Sequence, residues 1–151
     1  MSLSRWMVLG IALVVCGCAQ EQRPFKFVVA QVADPVDTVA RSLAQAGFVP
    51  ATVDRQTGIL TTRWEDTGFL YGQLQNVGAT IVRRYTVTIG PVSTGSEISV
   101  RAETQRCAQG STTISDAGVS GTCERMDGLV PKHQDELDHL GATLRQALNG
   151  R

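Results

Sequence analysis

Apolar positions recur along the chain with two periods, and the places where the period changes divide it into elements. In residues 25–33, Phe25, Phe27 and Val29 fall on one side of an extended chain and Val28, Ala30 and Val32 on the other. This predicts a strand covered on much of both faces. Asp34 and Pro35 then open a helix over residues 35–46, with Asp34 as N-cap, Pro35 in the first turn and Asp37 near the positive dipole end. Val36, Val39, Ala40 and Leu43 form its apolar stripe, and Gly47 suits the position just past its end. Residues 48–54 predict a short strand, placed at an edge or a strand start by Pro50. Residues 55–58 form a turn, and residues 59–65 return as the second strand of that hairpin.

The segment 66–79 has no clean period, although it carries Phe69, Leu70, Tyr71, Leu74 and Val77 among glycines and small residues. It reads as a long, partly apolar connection. Residues 80–89 give the clearest strand, with Ile81, Arg83, Tyr85, Val87 and Ile89 on one face. After a turn over residues 90–96, residues 97–104 alternate Ile98, Val100 and Ala102 against Ser99, Arg101 and Glu103. Pro131 opens a last helix whose Leu137, Leu140, Leu144, Ala147 and Leu148 lie at helical spacing, with Gly150 beyond its end. Gly141 inside that stripe is either a small loss of helix stability or a point of close packing. The order strand, helix, hairpin, hairpin, helix predicts an α+β fold. An antiparallel sheet of four to five strands with both helices on one face buries all the apolar stripes together.

The start of the chain reads as targeting rather than fold. Arg5 precedes an apolar run over residues 6–15, too short for a ~30 Å hydrocarbon core but suited to a secretory signal. The sequence Val15-Cys16-Gly17-Cys18 resembles the lipobox of bacterial lipoproteins, with an aliphatic residue three positions and a small residue one position before Cys18. Cys16 fits less well, because bulky Val15 directly precedes it. An ordinary signal peptide with incidental cysteines is the other reading. The resemblance implies a signal peptide over residues 1–17, acylation of Cys18, a polar tether over residues 18–24 and one domain over residues 25–151. Ala19, rather than Asp, after the acylated residue implies the periplasmic face of the outer membrane in a cell that has one.

Composition narrows the function classes. Fourteen basic and fourteen acidic side chains leave no surplus to drive counterion release from a nucleic acid, so no nucleic-acid partner is expected. Loss of Arg5 with the signal leaves the mature chain with one negative charge in excess. A hydrophobic fraction of 42% and a charged fraction of 19% are globular values. With Cys16 removed and Cys18 acylated, Cys107 and Cys123 remain as an even pair in an exported chain, which predicts a disulfide across a Gly-, Ser- and Thr-rich loop.

One family resemblance spans most of the domain. The residues Ala44-Gln45-Ala46-Gly47-Phe48, Asp54, Gly58-Ile59-Leu60-Thr61-Thr62-Arg63-Trp64 and Arg83-Arg84-Tyr85-Thr86-Val87, followed by a C-terminal helix, resemble BamC-type lipoproteins. These are accessory subunits of the machinery that assembles outer-membrane β-barrels, and their helix-grip domains wrap a sheet against helices. The resemblance covers residues 27–148, one such domain. The family's second domain and its long N-terminal segment, which grips a partner, have no counterpart in the matched region.

Candidate chemistry is sparse. His133 and His139 accompany Asp135, Glu136 and Asp138 on the last helix; Asp135 and His139 could share a surface metal, but a solvated helix face is the plainer expectation. Arg83 and Arg84 put one guanidinium on each face of a strand, where one could pair with a carboxylate under a helix, but ordinary solubility at a sheet edge is the plainer expectation. Trp64 and Tyr85 could touch across strands as core packing or as a ligand shelf. No nucleophile elbow, phosphate loop, dinucleotide fingerprint or metalloprotease motif occurs, so no enzyme activity, cofactor or metal is expected. The expectation is a cell-envelope lipoprotein anchored to the membrane by its lipid and acting as an interaction or assembly module with an envelope protein. The alternative is a periplasmic carrier of a lipid or small ligand. Phe69, Leu70 and Tyr71 are candidate contacts, unless their segment folds back to cap the sheet.

Overall fold

The computed structural model describes residues 22–30, 32–67, 79–108, 110, 112–115, 118–126 and 131–150. The elements follow as β1 (Phe25–Val29), α1 (Pro35–Gln45), β2 (Pro50–Asp54), β3 (Ile59–Thr62), β4 (Glu65–Asp66), β5 (Ala79–Val92), β6 (Gly95–Ala108), β7 (Thr113–Ser115), β8 (Gly118–Ser120), β9 (Cys123–Arg125) and α2 (Pro131–Asn149). Strands β1, β6, β5, β3 and β2 lie side by side in that order. Strand β4 pairs with β5 and β9 with β6, completing a seven-stranded antiparallel sheet, while β7 and β8 form a separate ribbon. The α+β class and the antiparallel sheet agree with the sequence reading; four to five strands was too few.

The extra strands have local causes. Gly90, Pro91 and Gly95 suggest a long turn, yet Gly90 pairs with Glu97, Pro91 with Ser96 and Val92 with Gly95, leaving only Ser93 and Thr94 to turn. Strands β5 and β6 therefore run fourteen residues each. At their far end the loop between the cysteines contributes β7, β8 and β9. Residues 59–65 are not one strand either. Leu60 opposes Val87 and Thr61 opposes Thr86, but Glu65 opposes Arg83 instead of the Trp64 that an unbroken register would place there. One extra residue at Arg63–Trp64 thus bulges the chain, and a slip of one turns side chains to the other face.

Both helices pack on one face of the sheet. Val39 and Leu43 of α1, Leu137, Leu140, Leu144 and Leu148 of α2, and Phe27, Val29, Leu60, Tyr85, Val87, Ile98 and Val100 of the strands form one buried core. Each large apolar side chain so buried contributes about 1.5–3 kcal/mol from lost apolar surface. Helix α1 ends as Gly47 suggested: Gly47 has φ 91°, and its N–H donates to Ala44 O at 3.1 Å while Phe48 N–H donates to Leu43 O at 2.9 Å. This pair of reverse bonds closes the last turn and sends Phe48 back toward the sheet. The start of α1 differs from expectation. Asp34 sits at the N-cap position but has φ 51° and its side chain makes no capping hydrogen bond.

In α2, Gly141 is a point of close packing: a Cβ built there would fall into the ring of Phe25. The chain before β1 is also held on α2. Arg23 N–H donates to Gln134 Oε1 at 3.0 Å, and Gln134 Nε2 donates to Arg23 O at 3.1 Å.

Candidate functional site

Alternation along β5 places Ile81, Arg83, Tyr85 and Val87 beneath the helices and Val82 and Arg84 on the opposite face. Arg83 is thus a cation in an apolar row, and it needs a carboxylate to remain there. Glu136 of α2 supplies one. The two form an ion pair, with the Arg83 side chain only 11% exposed. Glu65 of the bulged strand stands directly opposite Arg83 as a second nearby carboxylate. Burial raises the Glu65 carboxyl above its ordinary value, and the Arg83 charge opposes that shift.

Tyr85 lies one step along the same face. Its ring meets Phe48 edge to face at 5.0 Å between centroids, and the Arg83 guanidinium lies 5.1 Å from the ring centre. Its hydroxyl is buried and makes no hydrogen bond. Burial pushes this phenol up to about 12, with Arg83 pulling the other way, so it stays neutral at physiological pH. His133, one turn before Leu137, is buried as well; burial and then the charge of Arg83 lower its affinity for a proton.

Above these groups a groove of about 540 Å³ opens between α2, β5 and the end of α1. Phe48, Tyr85, Leu140 and Ala46 give it apolar walls, while Lys132, Asp135, Glu136 and His139 stand along it on the helix. Its volume lies within the range of small-ligand sites, and its mouth is open to solvent-exposed side chains. The arrangement can seat an apolar group against the Phe48–Tyr85 pair while charged side chains of both signs meet a polar rim.

Several sequence-predicted residues come together here and others separate. Arg83 pairs under a helix with Glu136, so the plainer expectation of sheet-edge solubility does not hold for it. Arg84, on the other face, lies 4.7 Å from the centre of the Trp64 ring and pairs with Glu103 at 2.7 Å. Trp64 and Tyr85 therefore do not touch as a cross-strand pair, because the bulge carries Trp64 to the opposite face. His133 is not on a solvated helix face, being 4% exposed under α2, whereas His139 is exposed. Asp135 and His139 both border the groove, but no group of three metal-ligating side chains forms among the described residues. Cys107 and Cys123 are joined as a disulfide, directly opposite each other on β6 and β9. Cys18, Phe69, Leu70 and Tyr71 lie outside the described residues.

Sequence reasoning missed Phe48, Glu136 and Leu140 as members of one site. The available signal was Arg83 itself: a cation in an apolar row must meet a carboxylate of the helix above it. No protein-family model matches the chain, and no curated protein matches it. Among the described residues, no helix is long and apolar enough to cross a membrane.

Proposed function

We propose that this chain is a cell-envelope lipoprotein, acylated at Cys18 and held at the periplasmic face of the outer membrane. In this reading its domain is a non-enzymatic interaction or assembly module, helix-grip in architecture and BamC-like in setting. The observation that carries the module is the open groove beside α2, apolar at its base and lined by charges of both signs. An exposed apolar pocket with a polar rim is the usual form of a hot-spot site for a partner's apolar side chain. The disulfide supports an oxidising compartment, and the Val15-Cys16-Gly17-Cys18 pattern supports the anchor.

Two experiments test the proposal. Labelling with a fatty acid should mark the wild type and Cys16→Ser but not Cys18→Ser; label retained in Cys18→Ser removes the anchor from this reading. Tagged protein purified from membranes should bring down an envelope protein in fixed stoichiometry. Thr143→Arg, which crowds the groove without entering the core, should reduce that recovery at an unchanged melting temperature.

The groove's volume also favours a second reading, a carrier of a lipid or small apolar ligand. Native mass spectrometry separates the two. A stoichiometric small-molecule adduct, lost in Thr143→Arg, supports the carrier and counts against the module.

A further inference from the structure

The sheet ends in β1 on one side and β2 on the other, and the two edges are finished differently. Strand β2 begins with Pro50, which has no N–H to offer, and its register shifts between Pro50 and Thr52. A proline and a bulge are the usual guards of an edge. Strand β1 has neither within its span: it pairs with β6 in unbroken register from Phe25 opposite Val100 to Val29 opposite Ser96. Its one guard is Lys26, and that ammonium lies 3.8 Å from the Glu97 carboxylate.

The bonding of β6 shows which groups of β1 are left over. Ala108 N–H donates to Thr122 O and Met126 N–H donates to Thr104 O, so the even-numbered residues of β6 turn their backbone groups away from β5. In an antiparallel pair, alternate opposed residues exchange both bonds and those between them exchange none. Val100, Ile98 and Ser96 therefore bond Phe25, Phe27 and Val29, while Lys26 and Val28 direct their N–H and C=O groups away from β6. Among the described residues no strand pairs with those groups, and both residues are exposed, Val28 to 49%.

We propose that the β1 edge pairs with the β1 edge of a second copy, antiparallel, about a two-fold axis at Phe27. This register sets Lys26 of each copy opposite Val28 of the other, and the outward groups of both residues then exchange bonds in both directions. A shift that brought the two Lys26 side chains directly opposite each other would set like charges together, which costs stability. The same axis sets Phe27 beside its own copy on the helix side and continues one sheet through both molecules. Because the axis is normal to the sheet, the two grooves beside α2 open on the same face, and a partner with two matching segments gains avidity from engaging both. Five residues a side make a contact below the ~1,200 Å² of standard interfaces, so the dimer is weak and reversible. The pairing itself depends on neither the lipid nor the groove.

The test uses the exported chain with Cys18→Ser, which carries no lipid. Its mass is followed by sedimentation equilibrium up to about 1 mM, high enough to populate a contact of millimolar affinity. The mean mass should rise with concentration toward about twice that of the monomer. Amide hydrogen exchange locates the contact. Phe25, Phe27 and Val29 should be protected at every concentration, whereas Lys26 and Val28 should exchange freely when dilute and slow in proportion to the dimer fraction. Val28→Pro removes an outward N–H and no bond to β6, so it should hold the chain at monomer mass with its melting temperature nearly unchanged. Should that variant fail to fold, the exchange pattern of the unsubstituted strand still decides. Monomer mass throughout, a dimer whose Lys26 and Val28 amides still exchange freely, or a Val28→Pro dimer of undiminished strength overturns the inference. So does slow exchange at both amides in the monomer, which would mean that another part of the chain already covers the edge.

Discussion

At its turn end the β5–β6 hairpin lies beneath two helices; at its open end it is flanked by the short strands β4 and β9. The turn end contributes Val87, Ile98 and Val100 to a core whose other wall is the leucine stripe of α2. The open end has a smaller buried group on the opposite face, Trp64, Val82 and Cys107, with Val119 and Cys123 against it. On that face the apolar surface is slight, although Ile81 is buried on the other. A disulfide joins neighbouring strands, the Trp64 ring lies under Arg84, and Arg84 pairs with Glu103. One pair of strands is thus stabilised by burial where helices cover it and by covalent and electrostatic cross-links where they do not.

The contrast predicts unequal responses to similar changes. Leu144→Ala, under α2, should lower stability by about 3–5 kcal/mol, because it empties a site closed on every side. Val82→Ala in the small cluster removes less volume from a smaller core and should cost markedly less. Urea denaturation of the two variants compares them directly; equal losses would mean that the open end has as much core as the turn end.

Next in size is the disulfide. Cys107 and Cys123 are 16 residues apart, and a loop of that length corresponds to roughly 3 kcal/mol in the chain-entropy account. Reduction should lower the urea midpoint. Hydrogen exchange should quicken first at Arg106 and Ala108, whose N–H groups face β9 (Ala108 N–H donates to Thr122 O at 2.9 Å), while amides around Val87 and Val100 stay protected. Uniform loss of protection along the hairpin would show that its two ends do not open separately.

How much of this was legible beforehand depended on whether local pattern or register decided the outcome. Helix α1 and its stop at Gly47, the leucine stripe of α2 and the Cys107–Cys123 pair could be read directly, since each rests on spacing or on residue type. The Trp64–Tyr85 contact failed because one bulged residue at Arg63–Trp64 reverses the face of everything beyond it, and nothing in alternation marks where such a residue sits. His133 was misplaced for a related reason. Near its start α2 overhangs the polar cluster around Arg83, so a position that reads as solvated lies against charged groups under the helix. The groove needs α2 to lie across β5, and that placement belongs to tertiary packing.

Gly141 tests how tightly α2 sits on the sheet. Adding a methyl with Gly141→Ala drives it into Phe25, and overpacking of this kind costs about 1–3 kcal/mol. In an open helix the same change would stabilise. Combining it with Phe25→Leu should recover part of the loss, and the double-mutant cycle measures that coupling.

A smaller effect depends on pH. Burial and Arg83 disfavour charged His133, with Lys132 adding to them and Glu136 opposing. Its folded-state affinity for a proton is therefore below the ordinary value of 6.5. As pH falls through that value the unfolded chain takes up a proton that the folded chain refuses. Stability from this source is full above about pH 6.5 and is lost progressively toward the lower folded value. His133→Gln should flatten the dependence of the urea midpoint between about pH 7 and about pH 5. An unchanged slope would assign the titration to other groups.

The smallest effect concerns the two ends of α1, which repeat the contrast on the scale of one helix. The C-terminal end is closed by two backbone bonds and a glycine suited to its dihedral angle. The N-terminal end has Asp34 in left-handed geometry with no side-chain cap bond, although Asp34 O still accepts Thr38 N–H at 3.1 Å. If the carboxylate capped the helix, Asn would serve nearly as well as Asp, and Gly would fall a few tenths of a kcal/mol below either. The observed geometry requires another order. A left-handed residue with a Cβ costs about 1–2 kcal/mol, less for Asp and Asn, and nothing for Gly. Among the uncharged replacements, Asp34→Gly should therefore be more stable than Asp34→Asn, and Asp34→Ala least stable by about 1 kcal/mol or more. Comparing these three leaves out the loss of charge near the helix dipole, which they share. Thermal melts that rank Asn above Gly would mean that a side-chain cap forms in solution, and that the two ends of α1 are closed alike.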